Sequence, residues 1–244
     1  MYLSSLILNI RNYQVRKDLA DCQGLHRTIL KAFSQSAPSP VEKNSHARQD
    51  FGLLYRVENS RHENEVRILV QSQCQPDWSL LPPGYCEAKG PKFIADKFQS
   101  LANGQVLSFL LKANPTHKTG TASKMERLAG KKNNGKRIFI RRTEEQLHWL
   151  AQKGEKGGFK LLSVQINPEV CDVDTRPDLR IKGWKKLNQK DGPEPVKWEM
   201  TFGAVVFQGH LQITNKEDFL KTLANGLGSG KAYGFGLLSI APPR

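Results

Sequence analysis

The sequence predicts an α+β protein made of two tandem β-α-β-β-α-β units, and three observations predict it. Stretches with strand-like apolar patterning interleave with stretches at helical spacing, and the order repeats in the two halves of the chain. A segment rich in Lys, Gly, Thr and Asn, residues 116–135, reads as the linker between them. The 244 residues suit one large domain or two small ones. Hydrophobic residues make up 38%, or about 46% with the 20 glycines counted, an ordinary globular value.

In the first unit, residues 1–115, Tyr2–Asn9 reads as the opening strand. Leu25, Ile29, Ala32 and Phe33 fall at i, i+4, i+7 and i+8, the stripe of an amphipathic helix, with Asp21 as its N-cap. The stretch from Ser36, with Pro38 and Pro40, ends that helix. Phe51–Val57 and Val66–Gln71 are strands separated by the polar turn Glu58–Glu65. A short helix over Pro91–Ser100 leads to a strand at Val106–Ala113, which closes the unit.

The second unit, residues 136–244, begins with a strand at Arg137–Arg142. Thr143 and Gln146 form a capping box for a helix carrying Leu147, Leu150 and Ala151, and Gly157-Gly158 stops it. Strands follow at Phe159–Ile166, Arg180–Lys186 and Val196–Phe207. Phe219, Leu220 and Leu223 mark the last helix, and Tyr233–Ile240 the last strand. This is the ferredoxin-like (RRM-like) order twice over.

Charge narrows the function. The chain has 37 Lys and Arg against 23 Asp and Glu, a formal net charge of +14. A field of that sign attracts polyanions. An anionic membrane is the weaker choice, because no run of about 18 apolar residues exists and Met1–Ser5 lacks the basic start of a signal peptide. The four cysteines, Cys22, Cys74, Cys86 and Cys171, have neither C-x-x-C spacing nor a neighbouring His pair. Structural zinc is therefore not expected, and reduced thiols in a cytoplasm are. No other group of Asp, Glu or His has metal-ligand spacing, so no cofactor is expected.

Four stretches could carry chemistry. The first is the loop Asn225–Ser239, with glycines at 226, 228, 230, 234 and 236. It fits neither familiar nucleotide pattern: Ala232 follows Gly230-Lys231 where a Walker loop needs Ser or Thr, and Tyr233 stands where a dinucleotide loop needs its third glycine. Backbone without Cβ at Gly228 and Gly230, with Lys231 beside it, can still approach a phosphate closely. The second is His26, whose imidazole can move protons near neutrality; Arg27 flanks it as a phosphate contact. Lys31 lies about 140° around the helix from His26, so spacing does not pair them. The third is the basic stretch Arg180–Gly192, a hairpin with Asp191-Gly192 at its turn. It gathers Arg180, Lys182, Lys185, Lys186 and Lys190, with Lys197 on the return strand, and would make binding strongly salt dependent. The fourth is Lys131–Arg137 with Arg141-Arg142, a charge run read equally well as a solvated loop.

Taken together, these pieces resemble one family, the CasE endoribonucleases of type I-E CRISPR systems. The resemblance rests on Leu25-His26-Arg27-Thr28, on Gln75-Pro76-Asp77-Trp78-Ser79 before Gly84-Tyr85, and on Leu111-Lys112-Ala113-Asn114-Pro115. Gly157-Gly158-Phe159 and the glycine loop closing in Leu237–Pro242 add to it. It implies metal-independent cleavage of CRISPR repeat RNA on the 3′ side of a hairpin, and retention of the product with other subunits in the Cascade complex. It also implies that His26 is catalytic and that Lys31 and Ser34 support it. Some relatives carry a catalytic tyrosine three residues before the histidine, where this chain has Gln23.

RNA brings its own nucleophile, the 2′-OH. A cleaving enzyme then needs a proton acceptor, a proton donor and cations, with in-line positioning supplying much of the acceleration. A basic hairpin also suits an RNA stem, whose major groove is too narrow for side chains on a helix. The rival readings are a non-catalytic RNA-binding subunit and, less well supported, a DNA-binding protein, for which no helix-turn-helix or zinc-finger pattern exists.

Overall fold

The structure, a computed structural model, describes residues 1–36, 51–59, 65–118, 137–165, 167–187 and 196–243, and within these it describes all side chains except those of 34–36, 185–187, 196 and 197. Strand β1 (Tyr2–Leu8) alternates so that Ser4, Leu6 and Leu8 point inward, as one buried sheet face requires. It pairs antiparallel with β3 (Val66–Ser72) on one side and β4 (Cys86–Phe93) on the other, and β3 pairs in turn with β2 (Leu54–Asn59). The order β2-β3-β1-β4 is that of a ferredoxin-like unit. Helices α1 (Tyr13–Ala20) and α2 (Cys22–Leu30) join β1 to β2, with a 3-10 turn, Lys31–Ser36, after them. Leu25, Ile29 and Phe33 bury their stripe against Leu6, Leu8, Tyr55, Ile68 and Val70.

The second sheet has the order β11-β12-β5-β13, with β8 beside β11 on the same edge of β12. Its strands are β5 (Val106–Ala113), β8 (Phe159–Leu161), β11 (Val173–Leu187), β12 (Val196–Ile213) and β13 (Leu238–Ala241). Helices α4 (Thr143–Lys156) and α5 (Lys216–Asn225) cover one face. Trp149, Leu150, Phe219 and Leu223 pack there against Phe109, Leu111, Phe207 and Leu211. Again the first strand, β5, is central, so both units share the tandem ferredoxin-like plan. Gly158, at φ 76°, makes the tight exit from α4: a Cβ there would lie 2.3 Å from Asn215 O and 2.6 Å from Phe219 N.

Several sequence expectations need correction. The strand at 106–113 does not close the first sheet but opens the second, so the sheets divide between β4 and β5 rather than after residue 115. The strand that does close the first sheet, β4, has only a single 3-10 turn, Trp78–Leu80, between it and β3. The helix expected over 91–100 shrinks to α3 (Ala95–Gln99), which leads from one sheet to the other. Helix α1 went unforeseen. No capping box forms at Thr143, because the N-cap is Arg142; Gln146 is buried and instead donates to Ile140 O at 2.8 Å. The last strand is shorter than expected, since positive φ at Gly234 and Gly236 delays it to Leu238. Of the linker, residues 116–118 form β6, which pairs with β7 (Arg137–Phe139), and 119–135 lie outside the described residues. Two short strands, β9 (Ser163–Val164) and β10 (Asn167–Cys171), complete the set.

Candidate active site

Helix α2 positions the site. Asp21 caps it, accepting from Gln23 N at 3.1 Å, and the same oxygen accepts from the backbone N–H of Trp184 in β11 at 3.1 Å. One carboxylate therefore ties the start of the helix to the long hairpin of the second unit. The hairpin comes this close because residue 183 is glycine: a Cβ there would lie 2.5 Å from Cys22 Sγ. Burial, reinforced by Asp21, pushes the Cys22 thiol up to about 12, so it stays neutral and packs as an apolar group.

His26 follows one helical turn after Gln23 and is 9% exposed. Its ring lies 6.5 Å from that of Tyr55, nearly parallel, and 6.3 Å from that of Tyr233, edge-on. Tyr55 comes from β2 and donates its hydroxyl to Ala232 O at 2.9 Å. Tyr233 donates to Gln23 Oε1 at 3.0 Å and packs on Phe202 of β12 at 4.9 Å. A histidine of the first unit thus sits among aromatic rings supplied by both. Burial drives the Tyr55 phenol far above its usual range; burial, then Cys22 and Asp21, also raise Tyr233. Both hydroxyls therefore keep their protons at neutral pH and serve as donors.

Beside this cluster opens a cleft of about 1020 Å³ between the α1–α2 corner, β2 and β11, onto which Tyr233, Arg56, Lys112, Arg180 and Lys182 face. Arg56 is buried and bridges the units, donating to Leu110 O and Leu237 O at 3.2 Å each and to Glu58. Lys112 reaches across β12 to Asp178 at 2.7 Å. Burial alone would raise the Asp178 carboxyl, but the hydrogen bond and charge of Lys112 outweigh it and hold the group below its usual range.

The residues singled out from sequence fall in three places. Arg27, on α2, is two-thirds exposed and 4.0 Å from Asp21; Lys31 begins the 3-10 turn and is exposed, and Ser34 belongs to that turn with its side chain outside the described set. Arg180 and Lys182 are exposed on β11, where Lys182 pairs with Glu199 at 2.9 Å. Lys185 and Lys186 stand opposite Trp198 and Lys197 in the strand register. Lys190, the Asp191-Gly192 turn and Lys131–Lys136 lie outside the described residues. Gly228 and Lys231 line a separate pocket of about 290 Å³ with Arg137, Lys153 and Lys156, and Gly230 takes a left-handed turn at φ 75°. Among the described residues, no group of three His, Cys, Asp or Glu is arranged to hold a metal. Sequence reasoning missed Tyr55, Arg56 and Tyr233. Tyr233 had one legible signal, a bulky aromatic held between two glycines of a turn.

Comparison with known proteins places the chain in a family. A family model described as "CRISPR associated protein" matches residues 1–242. The chain is 37% identical over 243 residues to the CRISPR-associated endoribonuclease Cse3 of Thermus thermophilus, covering 99% of this chain and all of that one. A solved structure of the CRISPR endoribonuclease Cse3 bound to 19-nucleotide RNA superposes with a TM-score of 0.76 at 33% identity, over 99% of this chain and 100% of that one. Thermus thermophilus Cse3 bound to an RNA representing a pre-cleavage complex gives 0.72 at 32%, over 99% and 98%. With the match running end to end and His26 at the junction of two ferredoxin-like units, the chain belongs to the CasE (Cse3) family of CRISPR-associated proteins.

Proposed function

We propose that this protein is a cytoplasmic, metal-independent endoribonuclease that binds the hairpin of CRISPR repeat RNA and cuts on its 3′ side. The 2′-OH attacks the adjacent phosphorus, leaving a 2′,3′-cyclic phosphate and a 5′-OH, and the product stays bound with the other Cascade subunits. The observation that carries this reading is His26, one turn into the helix that both units grip, beside an open cleft whose basic side chains outnumber its acidic ones. It is the group suited to moving the proton of the 2′-OH, with Lys31 and Ser34 supporting it from the next turn. Arg27, Arg180, Lys182, Lys185 and Lys186 supply phosphate contacts along the hairpin, and Gly228, Gly230 and Lys231 supply others at the glycine loop. The relative solved with 19-nucleotide RNA supports the substrate class. Domain limits of 1–115 and 136–244 serve this reading only loosely, since β5 belongs with the second sheet.

The test uses hairpin repeat RNA in EDTA. Defined cleavage with cyclic-phosphate ends is expected, and a single 2′-deoxy substitution 5′ of the scissile phosphate should block cutting but leave binding intact. Cleavage of the deoxy substrate, or activity that returns only with Mg²⁺, would overturn the mechanism. Binding without any cutting would make the protein a non-catalytic subunit.

A further inference from the structure

We infer that Tyr233 is a second catalytic residue of this site, the proton donor to the 5′-oxygen that leaves when the RNA backbone breaks. The inference rests on the ribonuclease reading above and names the group that reading lacks. In a single displacement His26 cannot both take the proton of the 2′-OH and supply one to the leaving group, so a second group must stand close by. Among the described residues, Tyr233 is a hydroxyl-bearing side chain that both lies beside His26 and lines the cleft.

Delivery depends on the turn. Tyr233 ends a 3-10 turn, Lys231–Tyr233, flanked by Gly230 and Gly234, both left-handed at φ 75° and 85°. Two such residues in five reverse the chain tightly, and a side chain at either would be strained. Tyr55 fixes the turn against the first unit through its bond to Ala232 O, and Gly234 lies against the Tyr55 ring, where a Cβ would sit 3.2 Å from Cε2. Phe202 packs against the Tyr233 ring, with centroids 4.9 Å apart. The phenol is thereby aimed across the junction, its ring edge-on to His26 and its hydroxyl at Gln23 Oε1, on the helical turn before His26. The hydroxyl thus reaches the helix that bears the imidazole, and the residue faces the open cleft.

The chemistry balances. The 2′-oxygen forms a bond to phosphorus as its proton passes to the His26 imidazole. The bond from phosphorus to the 5′-oxygen breaks, and that oxygen takes the Tyr233 proton. The imidazolium and phenolate then return to their starting states by exchange with water. Burial keeps the phenol protonated before the reaction, which suits a donor and not a base. An alkoxide leaving group is a far stronger base than a phenolate, so the transfer still runs downhill.

Tyr233→Phe keeps the ring and removes only the hydroxyl. With ordinary repeat RNA its single-turnover rate should fall about 10²–10³-fold, while RNA affinity stays within about threefold of wild type. A substrate with sulfur in place of the bridging 5′-oxygen needs no proton to leave, so the variant and the wild type should cut it at equal rates. The inference is overturned if the variant cuts ordinary RNA within about threefold of wild type. It is equally overturned if the loss is the same on both substrates, since the hydroxyl would then only orient His26. A wild-type protein that cuts neither substrate overturns the proposed function itself, and this inference falls with it.

Discussion

His26 is 9% exposed, yet its neighbour Tyr233 lines an open cleft, so the group lies close to where a substrate can reach. His26→Ala should lower the cleavage rate by about 10²–10⁴-fold, the usual contribution of a proton-transfer group. Affinity for the repeat RNA, measured by filter binding, should change by no more than a few fold, because the proposed phosphate contacts are other side chains. Normal cutting by His26→Ala would remove it from the mechanism. At this scale the sequence was informative about residue types and uninformative about partners. His26 and the glycine loop could each be named, but residues 26 and 233 are far apart in the chain and no local pattern encodes their meeting. Tyr233 was read as the start of the last strand and as a residue that spoils a dinucleotide motif.

Among the elements, the hairpin of β11 and β12 reaches from the second unit onto the first, as the Lys231–Tyr233 turn also does. Along the strand face that carries Gly183, the pairs are Ile181–Phe202, Gly183–Met200 and Lys185–Trp198. The first two pairs border α2 and Tyr233. The third therefore continues the same face outward, with Trp198 61% exposed, and Lys186 falls on the opposite face. Replacing Lys185 and Lys186 together by alanine should weaken RNA binding and reduce the slope of log affinity against log salt by about one to two, near 0.7–0.9 per lost phosphate contact. An unchanged slope would return these lysines to an ordinary solvated surface. Element types read well from sequence where periodicity was strong, as in α2 with its Asp21 cap or in β3. They failed where tertiary pairing decides. Residues 106–113 look like any buried strand, and only hydrogen bonds to β12 and β13 reveal which sheet owns them. Strand β4 is mostly exposed along its length and shows no clean alternation.

Across the whole molecule, polar groups join the two units. Arg56 donates into the second sheet, Gln71 donates to Leu223 O at 2.7 Å, and Tyr55 holds the glycine turn. Each spans more than a hundred residues of sequence, which is why the site at their junction could not be assembled from spacing. The cleft wall also carries a charge pair whose pH response is distinctive. Lys112 is 9% exposed, so its ammonium depends on Asp178, which is 31% exposed. Because the folded carboxyl lies below its ordinary value of 3.8, its pairing stabilises the protein in full above that pH. The contribution declines as pH falls below 3.8 and is gone once the folded value is passed. Asp178→Asn strands the lysine in a poorly solvated position. Breaking a fully buried pair costs about 3–5 kcal/mol, and the partial exposure of Asp178 reduces the expected loss here to about 2 kcal/mol at pH 7. Urea unfolding of the wild type and Asp178→Asn should therefore differ most near neutrality, and the gap should narrow in acid as the wild-type carboxyl takes up its proton. A difference that stays constant from pH 7 to about pH 3 would mean that Asp178 stabilises the sheet through shape rather than through its charge.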